Sequence, residues 1–186
     1  LDQLLDGLEY STKIEGLQEF AGITCDSRTI HPGDLFICIK GEFFDGHEHV
    51  SEAMLQGAAA VLVQQPAGLD NEILVEDSRF ASAIVCKNFF GNACDQLSLI
   101  GITGTNGKTT ITCLLKHVLE QAGEKTGLIG TIQNEICDVI IPAKHTTPDP
   151  YQLHSIFRRM LDAGCKYVVM EVSSHALHQH RLEGCR

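Results

Sequence analysis

The run Ser98-Leu99-Ile100-Gly101-Ile102 leads without a break into Thr103-Gly104-Thr105-Asn106-Gly107-Lys108-Thr109-Thr110, and this junction restricts the fold more than any other stretch of the chain. An apolar run is followed by a glycine-rich turn and then by Ile111, Leu114, Leu115, Val118 and Leu119 at helical spacing, which is the context of a phosphate-binding loop. Glycines let successive N–H groups turn inward on a phosphate, and a helix starting near Lys108 adds its positive end. Lys108 then reaches the outer phosphates, and the Thr109 hydroxyl stands beside it as a ligand for nucleotide-bound Mg²⁺. Gly104, Thr105, Asn106, Gly107, Lys108, Thr109 and Thr110 are therefore the candidate ATP-binding residues. In the usual G-x-x-x-x-G-K-[ST] spacing the first glycine would fall on Ile102, so the loop here is a short form, G-T-N-G-K-T. A bare strand–turn–helix corner would account for the glycines but not for the Lys-Thr-Thr that follows.

Residues 1 to 95 read as a small N-terminal α/β unit. Gly22–Cys25 and Asp34–Ile39 are expected strands, separated by Asp26-Ser27-Arg28 and Pro32-Gly33. A helix N-capped by Ser51 and stopped by Gly57 follows, then strands at Ala58–Val63 and Ile73–Val75, then a helix capped by Ser78 that carries Phe80, Ala83, Ile84, Lys87 and Phe90. Such alternation implies a mainly parallel or mixed sheet. The second unit, residues 96 to 186, continues from the phosphate loop through a helix to Gly123. Strands are expected at Thr126–Ile132 and Ile136–Ile141, a helix at Tyr151–Ala163 after the loop His145–Pro150, and a buried strand at Lys166–Val172. Glu171 interrupts that last apolar run near its C-terminal end, where ligands sit in open α/β sheets, and is a second candidate for Mg²⁺. Nucleotide-binding domains of this type ordinarily add further β-α units, so the second is expected to be an incomplete P-loop-type parallel α/β domain.

At 186 residues the chain suits one large or two small domains, and 14 Lys+Arg against 24 Asp+Glu, a net charge of −10, disfavour a nucleic-acid partner. The eight cysteines show no C-x-x-C pair, which argues against a zinc ribbon or a disulfide framework and for a reduced, cytoplasmic protein. No run has the length of a membrane helix, and the first residues lack the basic start of a signal peptide. His175, His178 and His180 lie close in sequence, but their spacing does not converge on a metal and they read as parts of a substrate loop.

Taken together, Gly104–Thr110, Gly127-Leu128-Ile129-Gly130-Thr131, Thr146-Thr147-Pro148-Asp149 and Met170–Leu177 with Gln179 and Arg181 resemble the Mur ligases. Upstream, Asp26-Ser27-Arg28, Pro32–Phe36 and Asp45-Gly46-His47 look like that family's N-terminal domain, which holds the uridine diphosphate of the substrate. The resemblance runs in order along nearly the whole chain, and the short phosphate loop is the family's own form. It implies an ATP- and Mg²⁺-dependent ligase of peptidoglycan precursor synthesis, of the branch that adds the third, diamino residue of the stem peptide. The substrates implied are UDP-N-acetylmuramoyl-dipeptide and an amino acid, and a monomer is expected. Carried over, Lys108 and Glu171 are catalytic, and Thr109 and Glu171 are metal ligands. Ser27 contacts uracil with help from main chain near Gly41–Gly46, while Thr146, Thr147, Ser173, Gln179 and Arg181 hold the muramoyl-dipeptide and its pyrophosphate. The carbamylated lysine and the C-terminal domain of the family are expected beyond Arg186, which would leave this chain inactive alone. The alternatives are the sister ligase that adds D-alanyl-D-alanine, a folylpolyglutamate synthetase-like ligase, and a non-enzymatic nucleotide-binding module.

Overall fold

Strands that are apolar on both faces need a helix on each side, and each half of this chain meets that need separately. The computed structural model describes residues 1–16, 19–41 and 44–185. They fall into two compact units, Leu1–Phe89 and Phe90–Arg186.

The first unit contains β1 (Tyr10–Thr12), β2 (Ile23–Thr24), β3 (Leu35–Ile37), α1 (Val50–Leu55), β4 (Ala60–Val63), β5 (Glu72–Val75) and α2 (Ser78–Phe89). Its sheet runs β1-β5-β4-β3-β2, parallel from β2 to β5, with β1 antiparallel on the β5 edge and Tyr10 opposite Val75. Alternate residues of each strand point to opposite faces. Leu35, Ile37, Leu62 and Ile73 thus join Ala81, Val85 and Cys86 of α2 in one core, while Phe36, Val61 and Val63 join Val50 and Ala53 of α1 in another. Both expected serine caps are corrected by the structure. Ser51 lies inside α1, because the chain enters through a 3-10 turn, Gly46–His49, whose cap is Asp45, accepting from the His47 N–H. At α2, Asp77 Oδ1 accepts from the N–H groups of Arg79 (2.7 Å) and Phe80 (3.2 Å), leaving the Ser78 hydroxyl to donate to Gln64 Oε1. In both places a carboxylate near the positive end of the helical turn takes the capping role.

The second unit contains β6 (Ser98–Ile102), α3 (Lys108–Gln121), β7 (Thr126–Ile129), β8 (Gln133–Ile136), β9 (Val139–Pro142), α4 (Pro150–Asp162), β10 (Tyr167–Glu171) and α5 (Ser174–His178). The sheet order is β6-β10-β7-β8-β9, with β6, β10 and β7 parallel and β8 and β9 antiparallel. The single strand expected over Ile136–Ile141 is instead this hairpin. Cys137 takes a left-handed φ of 52°, so the chain reverses between Ile136 and Val139, which pair directly. Asp149 caps α4 by accepting from the Gln152 N–H at 2.9 Å, with Pro150 in the first turn. Leu153, Ile156, Phe157 and Met160 of α4 pack with Ile129, Ile136, Val168 and Met170. Strand alternation then turns Val169 and Glu171 to the side where α3 packs on β10 and β7.

On α3 the apolar positions Ile111, Leu114 and Val118 are exposed, while Thr112 and Lys116 are buried. The Thr112 hydroxyl meets the carbonyls of Lys108 and Thr109, and the Lys116 ammonium pairs with Glu120 and, at 3.0 Å, with Glu135 of β8. Burial draws the Lys116 pKa down, but hydrogen bonds to Glu120 and Glu135 hold it above the ordinary lysine value. Burial pushes Glu135 up, yet hydrogen bonds from Gln133 and Lys116 hold it below the ordinary glutamate value. With the lysine raised and the glutamate lowered, the pairing stabilises the fold between the carboxylate and lysine ranges. It is lost as pH falls through the folded Glu135 value or rises through the folded Lys116 value. Lys116→Met leaves two carboxylates without their cation and is expected to lower stability by about 1–3 kcal/mol at neutral pH. The check is a urea titration at constant m-value, and an unchanged midpoint contradicts it.

Candidate functional site

The loop from β6 to α3 is exposed, and its two glycines take backbone conformations that other residues avoid, Gly104 with φ 148° and Gly107 with φ 82°. Thr105 and Asn106 lie exposed between them. Lys108 opens α3 and donates through Nζ to the Gly104 carbonyl at 2.7 Å, so its ammonium folds back over the loop. Thr110 is exposed on the first turn. Open N–H groups at the start of a 14-residue helix, next to a lysine, suit an anionic phosphate chain.

Glu171 ends β10 in parallel register with β6, opposite Ile102, which places it on the strand beside the loop. It is 1% exposed, and a buried carboxylate needs donors. Oε1 accepts from the Thr109 hydroxyl at 3.0 Å and from the Thr131 N–H at 2.9 Å. Oε2 accepts from the Thr131 hydroxyl at 3.1 Å. A Cβ on Gly130 would lie 2.7 Å from Oε1, so any larger residue there would have to shift the carboxylate. The Thr131 hydroxyl also lies 3.0 Å from that of Thr146. Thr131 is the residue that sequence reasoning passed over as a site member; the signal was a Gly-Thr pair at the end of an apolar run.

The substrate candidates of this unit join the same network. The Thr147 hydroxyl donates to the Glu171 carbonyl at 2.9 Å and accepts from the Ser173 N–H at 3.0 Å. Ser173 caps α5 through the Ala176 N–H, and Arg181 donates to the Thr147 carbonyl and, through Nε and a terminal nitrogen, to Gln179 Oε1. The structure therefore brings Lys108, Thr109, Thr146, Thr147, Glu171, Ser173, Gln179 and Arg181 to one end of the parallel strands. An all-oxygen pair from Thr109 and Glu171 suits a hard divalent cation such as Mg²⁺.

Ser27 belongs to the other unit, where it is buried in a 3-10 turn capped by Asp26. Hydrogen bonding to Arg28 holds the Asp26 carboxyl down at about 2. Of the main chain expected at Gly41–Gly46, residues 42 and 43 lie outside the described residues. On the loop's flanks the backbones of Lys40 and Asp45 pair in an isolated antiparallel bridge, and Arg79 donates to the Lys40 carbonyl at 2.6 Å. His47 Nε2 accepts from the Gln64 N–H at 3.1 Å, which puts the proton of the neutral ring on Nδ1, 2.6 Å from Asp45 Oδ1.

The profile described as "Mur ligase middle domain" matches residues 102–186, and the one described as "Mur ligase family, catalytic domain" matches residues 19–92. The chain belongs to the Mur ligase family. UDP-N-acetylmuramoyl-L-alanyl-D-glutamate–2,6-diaminopimelate ligase of Clostridium perfringens (strain 13 / Type A) is 47% identical over 189 residues, covering 99% of the chain and 39% of that protein. The ligase of the same name from Geobacillus kaustophilus is 45% identical over 171 residues, covering 91% of the chain and 35% of the relative. Among solved structures, one of a ligase of that name superposes with a TM-score of 0.80 at 30% identity, covering 98% of this chain and 38% of the other. MurF ligase from Thermotoga maritima in complex with ADP superposes with a TM-score of 0.55 at 25% identity, covering 82% and 32%. The chain thus spans about two-fifths of the Clostridium relative's length. The two-domain α/β organisation, with a nucleotide-binding sheet second, is that of a Mur ligase.

Thr131→Val removes one donor from a buried carboxylate and is expected to cost about 1–3 kcal/mol of folding stability, with Thr131→Ser restoring most of it. Chemical denaturation of both variants checks this. A valine variant as stable as the wild type, or a serine variant that loses more than the valine one, contradicts the role given to the hydroxyl.

Proposed function

We propose that this chain carries the uridine-binding and nucleotide-binding parts of an ATP-dependent acid–amino-acid ligase, a UDP-N-acetylmuramoyl-tripeptide synthetase. The reaction proposed for a protein of the relatives' length joins a diamino acid to UDP-N-acetylmuramoyl-L-alanyl-D-glutamate. The observation that carries the reading is the 3.0 Å hydrogen bond from Thr109, at the mouth of the phosphate loop, to Glu171, at the end of the neighbouring strand. It joins the two groups that a nucleotide-bound cation needs. The printed names of the 47% and 45% identical relatives support the choice of substrate.

In this reading the loop N–H groups and Lys108 orient the nucleotide so that its γ-phosphoryl faces the substrate carboxylate. Phosphoryl transfer gives an acyl phosphate open to attack by the incoming amine. Lys108 offsets charge on the outer phosphates. Thr109 and Glu171 would hold Mg²⁺, which when bound would neutralise charge on the phosphate oxygens. Thr146, Thr147 and Ser173 offer hydroxyls to the muramoyl-dipeptide, and Arg181, fixed by Gln179 and the Thr147 carbonyl, presents its guanidinium to an anionic group. Ser27 and the loop beginning at Gly41 are assigned to the uridine diphosphate.

Calorimetric titration with ATP, with and without magnesium, tests the nucleotide half. Lys108→Ala is expected to weaken binding under both conditions, whereas Glu171→Gln removes mainly the magnesium-dependent part, each by about 1–3 kcal/mol. Retention of the full magnesium dependence in Glu171→Gln, in protein shown to be folded by circular dichroism, overturns the assignment of Glu171.

A further inference from the structure

Two thiols of the second unit meet away from the nucleotide loop. Cys137 is the left-handed residue of the β8–β9 turn and is half-buried. Cys165 follows the C-terminal turn of α4, where its N–H donates to the Met160 carbonyl at 2.9 Å, and it is 4% exposed. Their Sγ atoms lie 3.5 Å apart, 28 positions apart in the chain. A disulfide needs about 2.05 Å, so the sulfurs have only about 1.5 Å to close. Cys137 sits on a two-residue hairpin turn, whose side chain can swing more readily than one locked in the α4 core.

We propose that Cys137 and Cys165 form a reversible disulfide-forming site that is oxidised by a low-molecular-weight disulfide such as oxidised glutathione. The Cys137 thiolate attacks one glutathione sulfur, breaking the S–S bond and releasing one glutathione as its thiolate. The Cys165 thiolate then attacks Cys137 Sγ, forming the internal bond and releasing the second glutathione. Two protein thiols lose two protons and two electrons, and glutathione disulfide is reduced to two thiols, so the exchange balances. Burial, reinforced by Cys137, pushes the Cys165 thiol up to about 11, which casts the more open Cys137 as the first to react and Cys165 as the resolving thiol. The bridge ties the β8–β9 hairpin to the residues that lead into β10, the strand that ends in Glu171. This inference stands on the two sulfurs alone and does not depend on the ligase reading.

The test treats the reduced, folded chain with oxidised glutathione, quenches with an alkylating agent, and maps peptides without reduction. Exposed Cys113 reports that the reagent has acted. The expected product is a peptide pair joined through Cys137 and Cys165, two hydrogens lighter than the separate peptides and released by dithiothreitol. Cys165→Ser should instead trap glutathione on Cys137, with complete loss of the joined pair. The wild-type map decides the matter even where that variant does not fold. Wild-type protein carrying glutathione on Cys137 with Cys165 still alkylated after unfolding overturns the proposal. So does protein in which both thiols remain unmodified once Cys113 has reacted.

Discussion

A carboxylate buried at the end of an apolar strand is unfavourable unless its oxygens are supplied with donors, and Glu171 receives them from three directions. That requirement orders the second unit. It brings the first turn of α3 against β10 through Thr109, and it draws the end of β7 close enough that a side chain on Gly130 would have to displace the carboxylate. It also fixes Thr131 between the Glu171 carboxylate and Thr146, while the Glu171 carbonyl holds Thr147. The β6–α3 loop and the segment carrying Thr146 and Thr147 are thus parts of one hydrogen-bonded assembly built around a single side chain.

Much of this was legible in the residues because the strongest signals are local. The apolar runs at Ser98–Ile102 and Tyr167–Glu171 become adjacent parallel strands, and Asp149-Pro150 starts α4 as an Asp-Pro pair should. Other parts were hidden for physical reasons. The β8–β9 hairpin turns at Cys137-Asp138, without the glycine that usually marks a left-handed position, so the two strands read as one. Helix α5 is only five residues long, too short to show a period, and its cap Ser173 reads as a site residue. The cap Asp77 lies next to Ser78, and Asp45 caps a 3-10 turn six positions before Ser51, so in both places a carboxylate rather than the expected serine meets the positive end of a helical turn. Thr131, though part of the Gly127–Thr131 stretch that carries the resemblance, had no site role in the sequence because that role depends on strand order, which places β10 between β6 and β7 although it is the last strand in sequence.

The helix after the phosphate loop shows a different limit. Its apolar spacing identifies a helix but not the face it buries. Thr112 and Lys116 turn inward because each finds partners there, two backbone carbonyls for the hydroxyl and two carboxylates for the ammonium. A lysine with satisfied charge is compatible with burial, whereas Ile111, Leu114 and Val118 remain exposed. Among the described residues the first unit has no comparable polar centre. Its two apolar cores are divided by strand alternation alone, and its polar features, Asp26 with Arg28 and Asp45 with His47, gather in the turns that follow β2 and β3.

The dependence of the second unit on Glu171 is tested most directly by a double-mutant cycle on folding stability, with Thr109→Val, Glu171→Gln and their combination measured by chemical denaturation. If the hydroxyl–carboxylate contact joins the phosphate loop to β10, the two losses are strongly non-additive, with a coupling of about 0.5–3 kcal/mol. Losses that add to within about 0.3–0.5 kcal/mol would mean that α3 and the end of β10 are held independently, and that Glu171 does not organise the site.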